Sequence, residues 1–243
     1  SSARARELVA LCREAGVTLG IVLQHRFRPA AMALAEAIAG GELGALVNCS
    51  TSIRLWRPQS YYDEPGRGTL ERDGGGVLMT QGIHTLDLML SLAGPVQEVV
   101  SYTATTALHR MQTEDLVCAA ARFAGGALGT IEATTAAYPG APERIEMSFV
   151  RGGATLAGGS LELRWQDGRQ IRVEADASAG GTGADPMAYS HEGHRAVMAD
   201  FVDAIGSGRE PRVSGEQALR VHELIDALIE SGRRGAAVRV AGG

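Results

Sequence analysis

The sequence DLVCAAARFAGGALGTIEATT, at residues 115–135, predicts two β-strands joined by a tight turn. Residues 115–123 and 127–135 are both rich in residues that favour strands, and the pair Gly125–Gly126 lies between them. Two such runs joined by a short link that contains glycine are typical of an antiparallel hairpin. We therefore predict that antiparallel pairing dominates this part of the chain.

Further elements are predicted on both sides of this hairpin. Apolar and polar residues alternate through residues 45–55, and β-rich segments follow at residues 99–108, 145–150, 155–156, 161–166 and 170–173. Helices are predicted at residues 3–15, 29–38, from the glycine triplet 74–76 to about residue 92, 194–205, and 214–231 with Ser214 as N-cap. This order favours an α+β domain in which helices cover an antiparallel sheet.

The first part of the chain follows a different pattern. Residues 17–23, VTLGIVL, form a continuous apolar run that predicts a buried strand after the helix at residues 3–15. A helix followed by a buried strand is half of a βαβ unit, so we expect the chain to enter in the middle of a parallel sheet. Because the chain starts with Ser1 rather than Met, we expect a fragment or a trimmed form of a longer protein.

Composition argues against several classes of function. The formal net charge of −5 gives nucleic-acid binding no electrostatic support, and the apolar runs are shorter than the ~20 residues of a membrane-spanning helix. The cysteines, Cys12, Cys49 and Cys118, form no Cys-x-x-Cys pair and no zinc-type spacing, which favours a reducing, cytoplasmic location. All 23 basic residues are arginine, so no lysine is available as a base or nucleophile.

The segment most informative about chemistry is DGGGVLMTQGIHTLD, at residues 73–87. On a helix, Thr80, His84 and Asp87 fall on one face, within a helix that is otherwise apolar. A polar stripe through a buried helix must find partners, because unpaired polar groups lower stability. Two interpretations stay open from the spacing alone: a functional histidine, or core polar groups that satisfy one another.

Three other groups are candidates. Arg26 directly follows the run at residues 17–23, where the carboxyl end of a strand in an open sheet binds ligands. Tyr62 and Arg67 lie in a polar loop, residues 57–68, of a composition that suits contact with a sugar or nucleotide. Each could equally be an ordinary surface residue. His191 and His194 have a spacing seen in metal sites, but no third ligand is evident.

Taken in order, five segments resemble the glucose–fructose oxidoreductase / inositol dehydrogenase / MocA (Gfo/Idh/MocA) family. They are LCREAGVTLGIVLQHRFRP at 11–29, RPQSYYDEPGRG at 57–68, DGGGVLMTQGIHTLDLMLSLAGP at 73–95, TEDLVCAAARFAGGALGTIEATTAAYPGAPERIE at 113–146 and HRAVMADFVDAIGSGREPRVSG at 194–215. The ordered set is more specific than any one motif, and it covers essentially the whole chain.

The resemblance implies an α/β fold: the remnant of a Rossmann parallel sheet in residues 1–28, then a substrate-binding and oligomerisation domain in residues 29–243 with a large, mostly antiparallel sheet. It implies that the last helix, about 214–231, packs back toward the Rossmann part. It also implies an NAD- or NADP-dependent oxidoreductase that acts on a sugar, a sugar derivative or a cyclitol. A homo-oligomer formed through the sheet is expected.

The resemblance also assigns residues. The catalytic histidine of the family falls on His84, and its aspartate position falls on Thr80, a departure that questions any proton relay there. Cofactor contact falls on Arg67. Substrate-binding positions fall on Arg26 and Tyr138, and Asp87 and Tyr62 are further substrate-binding candidates because of their places on the helix face and in the polar loop. No metal ligand is implied, and the phosphate-binding glycine loop, Gly-x-Gly-x-x-Gly, is absent from these residues, so we expect it before Ser1.

Two alternatives remain at this stage. The first is a truncated, non-catalytic module that binds sugar or forms oligomers. The second is a metal-dependent hydrolase that would use His84, Asp87, His191 and His194.

Overall fold

The computed structural model describes residues 2–175 and 191–242, and one nine-stranded sheet organises them. The strand order is β8-β7-β6-β5-β1-β4-β3-β2-β9. The strands are β1 Leu46–Arg54, β2 Val96–Ala104, β3 Leu116–Phe123, β4 Leu128–Thr134, β5 Arg144–Phe149, β6 Gly152–Ala157, β7 Ser160–Trp165, β8 Gln170–Val173 and β9 Val238–Arg239. This confirms the α/β fold with a large, mostly antiparallel sheet.

One strand pair in this sheet is parallel, β1 with β4. The remaining neighbours run antiparallel, including the β3–β4 hairpin, whose turn lies at the predicted glycine pair. Gly129 explains how closely β1 and β4 approach, since a Cβ atom built there would lie 2.2 Å from the Cys49 carbonyl oxygen. Only glycine fits at this point without moving a strand.

Six α-helices accompany the sheet among the described residues. They are α1 Ser2–Glu14, α2 Pro29–Ala39, α3 Gln59–Tyr62, α4 Ile83–Ala93, α5 Glu192–Ser207 and α6 Gly215–Arg234, with a short 3₁₀ turn at Gln24–Phe27. Ser214 is the N-cap of α6, as predicted, and its hydroxyl accepts a hydrogen bond from the Gln217 backbone N–H at 3.4 Å. No helix in residues 2–175 and 191–242 is both long and apolar enough to cross a bilayer.

The core lies between one face of the sheet and the helices. Helix α6 packs on β2, α4 on β1, and α2 on β6 and β7. Strand β5 shows the resulting alternation, because Ile145, Met147 and Phe149 are buried while the residues between them are exposed. The opposite face of the sheet carries exposed apolar side chains, among them Tyr102 and Leu128.

The predicted strand at residues 17–23 is wrong for the described structure. This segment is extended, but it forms only an isolated bridge between Gly20 and Ser214, and Val17 and Val22 are exposed. The apolar run correctly predicts extended backbone. A strand also needs neighbouring strands that supply hydrogen bonds, and within the described residues only the segment leading into α6 does so, through Val213 and Gly215.

Candidate functional site

The backbone N–H groups at the glycine triplet before α4 are capped by the carboxylate of Glu114, just before β3. Oε2 of Glu114 accepts a hydrogen bond from the Gly76 backbone N–H at 3.1 Å, and Oε1 accepts one from Leu78 at 3.3 Å. A Cβ atom at Gly76 would lie 1.9 Å from the Glu114 carbonyl oxygen. At this end of the helix the close approach that glycine permits is therefore made by Glu114.

The helix then starts with an irregular turn. Residues Leu78–Gly82 form a π-helical segment before the regular helix begins at Ile83. Such wide turns are frequent at functional sites. Thr80 lies in this segment and is exposed, with its hydroxyl 2.8 Å from the Gly76 carbonyl oxygen and 2.5 Å from Gln81 Oε1.

His84 lies in the first regular turn of α4 and is half-buried. Its Nδ1 atom is buried and has no hydrogen-bond partner within the described residues. The ring stacks on His25 with 5.3 Å between centroids and a 40° tilt. Burial, followed by the positive charges of Arg28 and His194, lowers the pKa of His84 from 6.5 to about 4. The imidazole is therefore neutral at physiological pH and can accept a proton.

His25, on the 3₁₀ turn, supports this histidine and was missed in the sequence. It is almost fully buried, and its Nε2 atom lies 2.6 Å from an Arg28 guanidinium nitrogen. Its Nδ1 atom is 3.5 Å from Glu143. Burial lowers the pKa of His25, and the neighbouring Arg28 lowers it further. One feature of the sequence pointed to His25: it is next to Arg26, which was already a candidate.

Arg26 and Asp87 form a buried ion pair. The guanidinium donates to both carboxylate oxygens, with Nε–Oδ2 at 2.7 Å and Nη2–Oδ1 at 2.5 Å. It also donates to Gln217 and to the Arg212 carbonyl oxygen. The stripe Thr80, His84 and Asp87 thus separates into three environments: an exposed hydroxyl, a half-buried imidazole and a fully paired carboxylate.

Arg67 lies in the loop that precedes the glycine triplet. Its guanidinium covers the Tyr61 ring at 4.2 Å, donates to the Tyr61 hydroxyl at 2.6 Å and donates to Glu64 at 2.7 Å. The Tyr61 hydroxyl also accepts from Gln81 Nε2 at 3.4 Å, which joins this loop to the π-helical segment. Arg67 and Thr80 therefore border one surface.

The two candidate tyrosines lie in different surroundings. Tyr62 is buried and its hydroxyl lies 2.7 Å from that of Thr135, an arrangement that holds α3 to the sheet. Tyr138 is 78% exposed and meets the Trp56 ring edge-on at 5.3 Å. Of the two, Tyr138 has an accessible ring, and its hydroxyl has no hydrogen-bond partner among the described residues.

A second buried histidine fixes the loop between β2 and β3. His109 Nδ1 lies 2.6 Å from Asp115 Oδ2, and Nε2 donates to the Arg57 carbonyl oxygen at 2.9 Å. Both side chains are fully buried, and the Tyr62 ring packs on His109 at 4.8 Å. Sequence spacing gave no sign of this pair, because His109 lies outside every regular element.

The described residues do not support a metal-dependent hydrolase. In residues 2–175 and 191–242, no group of three or more His, Cys, Asp or Glu side chains is placed to hold a metal ion. Asp87 is committed to Arg26, and His191 lies next to Glu192 at the exposed start of α5. The four residues of that alternative are therefore not gathered at one site.

A comparison with known protein families agrees with the antiparallel sheet and with the helix that carries His84. The sequence model of the GFO/IDH/MocA C-terminal domain matches residues 31–155, just over half of the chain. This chain belongs to the GFO/IDH/MocA family. The matched residues include β1, α4 and the β3–β4 hairpin, which together carry His84 and the Glu114 cap.

Two curated relatives are sugar dehydrogenases. The chain is 26% identical to D-xylose 1-dehydrogenase (NADP(+)) 2 of Haloferax volcanii, over 94% of this chain and 66% of that protein. It is 25% identical to D-apiose dehydrogenase of Paraburkholderia graminis, over 98% of this chain and 63% of that protein. The chain therefore spans about two thirds of the length of the relatives that it matches.

Solved structures share the fold of this chain. The WlbA dehydrogenase of Bordetella pertussis, in complex with NADH and UDP-GlcNAcA, is 28% identical and superposes with a TM-score of 0.81 over 100% of this chain and 69% of that one. An NAD binding oxidoreductase of Klebsiella pneumoniae superposes with a TM-score of 0.84 at 21% identity. The second likeness is one of fold alone.

Proposed function

We propose that the chain is the substrate side of an NAD(P)-dependent oxidoreductase that acts on a sugar, a sugar derivative or a cyclitol. The observation that carries this proposal is His84, a neutral imidazole with a buried nitrogen that no described residue satisfies. The dehydrogenase names of the relatives support the reaction class. Residues 29–243 would bind substrate, and residues 1–28 would join them to the cofactor-binding part.

In this proposal His84 handles the proton. A neutral imidazole within hydrogen-bond reach of a substrate hydroxyl can accept its proton as the carbon is oxidised, and return it during reduction. Thr80, one turn earlier and exposed, would border the same substrate. Tyr138 would contact the sugar through its accessible ring and hydroxyl, and Arg67 would face the cofactor.

We do not assign a direct contact with substrate to Arg26, Asp87 or Tyr62. The Arg26–Asp87 pair and the Tyr62–Thr135 pair each satisfy their own polar atoms. We therefore propose that these pairs hold the site in place without touching the substrate. Arg26 and Gln217 also line an open groove of about 650 Å³.

The described residues do not fit a nicotinamide dinucleotide by themselves. Its pyrophosphate needs a glycine-rich turn that follows a strand and opens a helix, so that backbone N–H groups point at phosphate. The turn at residues 74–76 opens a helix, but the Glu114 carboxylate already accepts hydrogen bonds from the N–H groups of Gly76 and Leu78. We therefore propose that NAD or NADP is held mainly by residues outside this chain.

Two measurements test the proposal. Calorimetric titration of the 243-residue chain with NAD⁺ and NADP⁺ should show no micromolar binding. The full gene product should bind one of them and should reduce it in the presence of an aldose, a uronic acid derivative or a cyclitol. Binding of either cofactor in the micromolar range to the 243-residue chain, or a cofactor-loaded gene product that is inert on all three substrate classes, would contradict it.

A non-catalytic binding or oligomerisation module is the second candidate. It is favoured by one observation, the filled glycine turn that leaves no cradle for a dinucleotide. The two candidates differ in the expected effect of His84→Gln. A sugar-binding module needs no proton transfer, so this variant would leave its function unchanged, whereas a dehydrogenase would lose turnover.

We also propose that a second copy of the chain covers the open face of the sheet. Tyr102, Val100 and Leu128 are exposed there, on the side that the helices leave bare. Light scattering should give a dimer or a larger species, and Tyr102→Glu should shift it toward the monomer. A wild-type monomer at tens of micromolar would contradict this.

A further inference from the structure

His25 is a buried histidine that the proposed proton transfer does not use. An arginine can only donate hydrogen bonds, so the 2.6 Å contact with Arg28 requires a lone pair on His25 Nε2. The ring proton must then be on Nδ1, and that atom faces Glu143 at 3.5 Å. A second proton on the ring would remove the lone pair and set two cations against each other. His25 is therefore held neutral by its neighbours.

Glu143 balances the charge of this arrangement. Its Oε2 atom accepts a hydrogen bond from Arg28 Nη1 at 3.3 Å, whereas His25 contacts the other terminal nitrogen, Nη2. His25 and Arg28 belong to one local segment, the 3₁₀ turn and its C-cap, which is also the N-cap of α2, whereas Glu143 is the residue just before β5. The contact of Glu143 with the other two is therefore a property of the tertiary structure.

This group of three residues lies against His84. The His25 and His84 rings stack at 5.3 Å, which fixes one side of the His84 imidazole by packing instead of by a hydrogen bond. We propose that His25, Arg28 and Glu143 form a positioning unit that holds the His84 ring in place and keeps it in its neutral, proton-accepting form. This inference rests on the proposed role of His84 in proton transfer.

The other charged groups near His84 are consistent with this assignment. His194, on α5, also lowers the pKa of His84, in the same direction as Arg28. Asp87, one turn further along α4, is neutralised by its two hydrogen bonds from Arg26. Glu143 pairs with Arg28 and carries the opposite charge, so its removal leaves the Arg28 charge unbalanced. Removing Glu143 and removing Arg28 should therefore move the pKa of His84 in opposite directions.

The test is a titration of the His84 ring by NMR in histidine-labelled protein, with the signal assigned through its loss in His84→Gln. Arg28→Gln should raise the pKa of His84 by roughly 0.5–1 unit, because one nearby positive charge is removed. Glu143→Gln should leave the ring neutral to a lower pH than in the wild type. Arg28→Lys, which keeps the charge, should behave as the wild type, and Arg164→Gln on the exposed face of β7 is the matched control.

Equal titration of His84 in the wild type and in Arg28→Gln would overturn the inference. So would a shift of the same sign in Arg28→Gln and Glu143→Gln. If Arg28→Gln does not fold, the other two variants decide the question. Glu143→Gln should lower the pKa of His84 and Arg28→Lys should leave it unchanged, and equal titration in these two variants would overturn the inference.

Turnover separates this inference from the proposed function. In an active gene product, the acid limb of the kcat/KM profile should move with the titration, upward in Arg28→Gln and back to the wild-type position in Arg28→Lys. If the titration behaves as expected while His84→Gln keeps full turnover, the positioning unit stands and the proposed function fails. A shifted acid limb with an unshifted His84 signal would instead overturn the positioning unit.

Discussion

The Arg26 guanidinium donates two hydrogen bonds to the Asp87 carboxylate, one to each oxygen, at a position where the Asp87 side chain is 1% exposed. Burial raises the pKa of Asp87, and the hydrogen bonds and positive charge of Arg26 act against this rise. The pair joins the 3₁₀ turn at Gln24–Phe27 to the middle of α4. It therefore holds the helix that carries His84 against the first part of the chain.

We expect Asp87→Asn to be strongly destabilising, since it leaves Arg26 buried without a counter-charge. The loss in free energy of unfolding should be about 3–5 kcal/mol, as for other broken buried pairs. The double variant Arg26→Met, Asp87→Leu should recover part of this loss, because it removes both charges together. Chemical denaturation of the two singles and the double measures this, and strictly additive losses would show that the pair is not coupled.

Gly76 should tolerate no side chain. Gly76→Ala would place a methyl group 1.9 Å from the Glu114 carbonyl oxygen, so strand and helix would have to separate. We expect a loss of about 3 kcal/mol or more. Gly206→Ala in α5 is the matched control, because nothing lies within 4 Å there, and it should be neutral or stabilise by about 0.5 kcal/mol. Equal melting temperatures for the two variants would show that Glu114 does not cap the helix.

The two tyrosines should respond differently to loss of their hydroxyl groups. Tyr62→Phe leaves the Thr135 hydroxyl buried without a partner and should cost about 1–2 kcal/mol of stability. Tyr138→Phe should leave stability unchanged, because that residue is exposed, and should raise KM for the sugar. Melting and steady-state kinetics on both variants provide the check. A raised KM in Tyr62→Phe alone would reverse the assignment.

The lowered pKa of His84 predicts an acid-sensitive fold. The unfolded chain binds a proton near pH 6.5, but the folded chain binds it only near pH 4. The unfolded state therefore carries more protons between these values, and the free energy of unfolding falls as pH drops through this window. In His84→Gln this contribution is absent, so stability should fall less between pH 7 and 4.5. Parallel slopes for the two proteins would contradict the lowered pKa.

The sequence predicts the hairpin and the start of α6 well because the patterns that specify them are local in the chain. Alternation and the glycine turn at residues 125–126 place the β3–β4 hairpin, and the Ser214 cap places the start of α6. Residues 17–23 were mispredicted as a strand for a physical reason. An apolar run predicts extended backbone, but strand formation depends on partners that pattern alone does not supply.

The site was less predictable, because its contacts join distant parts of the chain. His84 was found from helical spacing together with resemblance. Its neighbours His25 and Glu143 are separated by 118 positions (143 − 25), so no helix or strand periodicity in the sequence relates them. The Glu114 carboxylate that fills the glycine turn lies on the approach to a different strand. Pairings of this kind become visible only when the chain is folded.

The central claim is that His84 transfers a proton, and His84→Ala tests it most directly when turnover and melting are measured on the same sample of the gene product. A proton-transfer residue predicts turnover lowered by roughly 10²–10⁴-fold with cofactor affinity nearly unchanged. A purely structural histidine predicts a lower melting temperature, with activity lost only in proportion to folded protein. A His84→Ala protein that is folded and fully active would contradict the account.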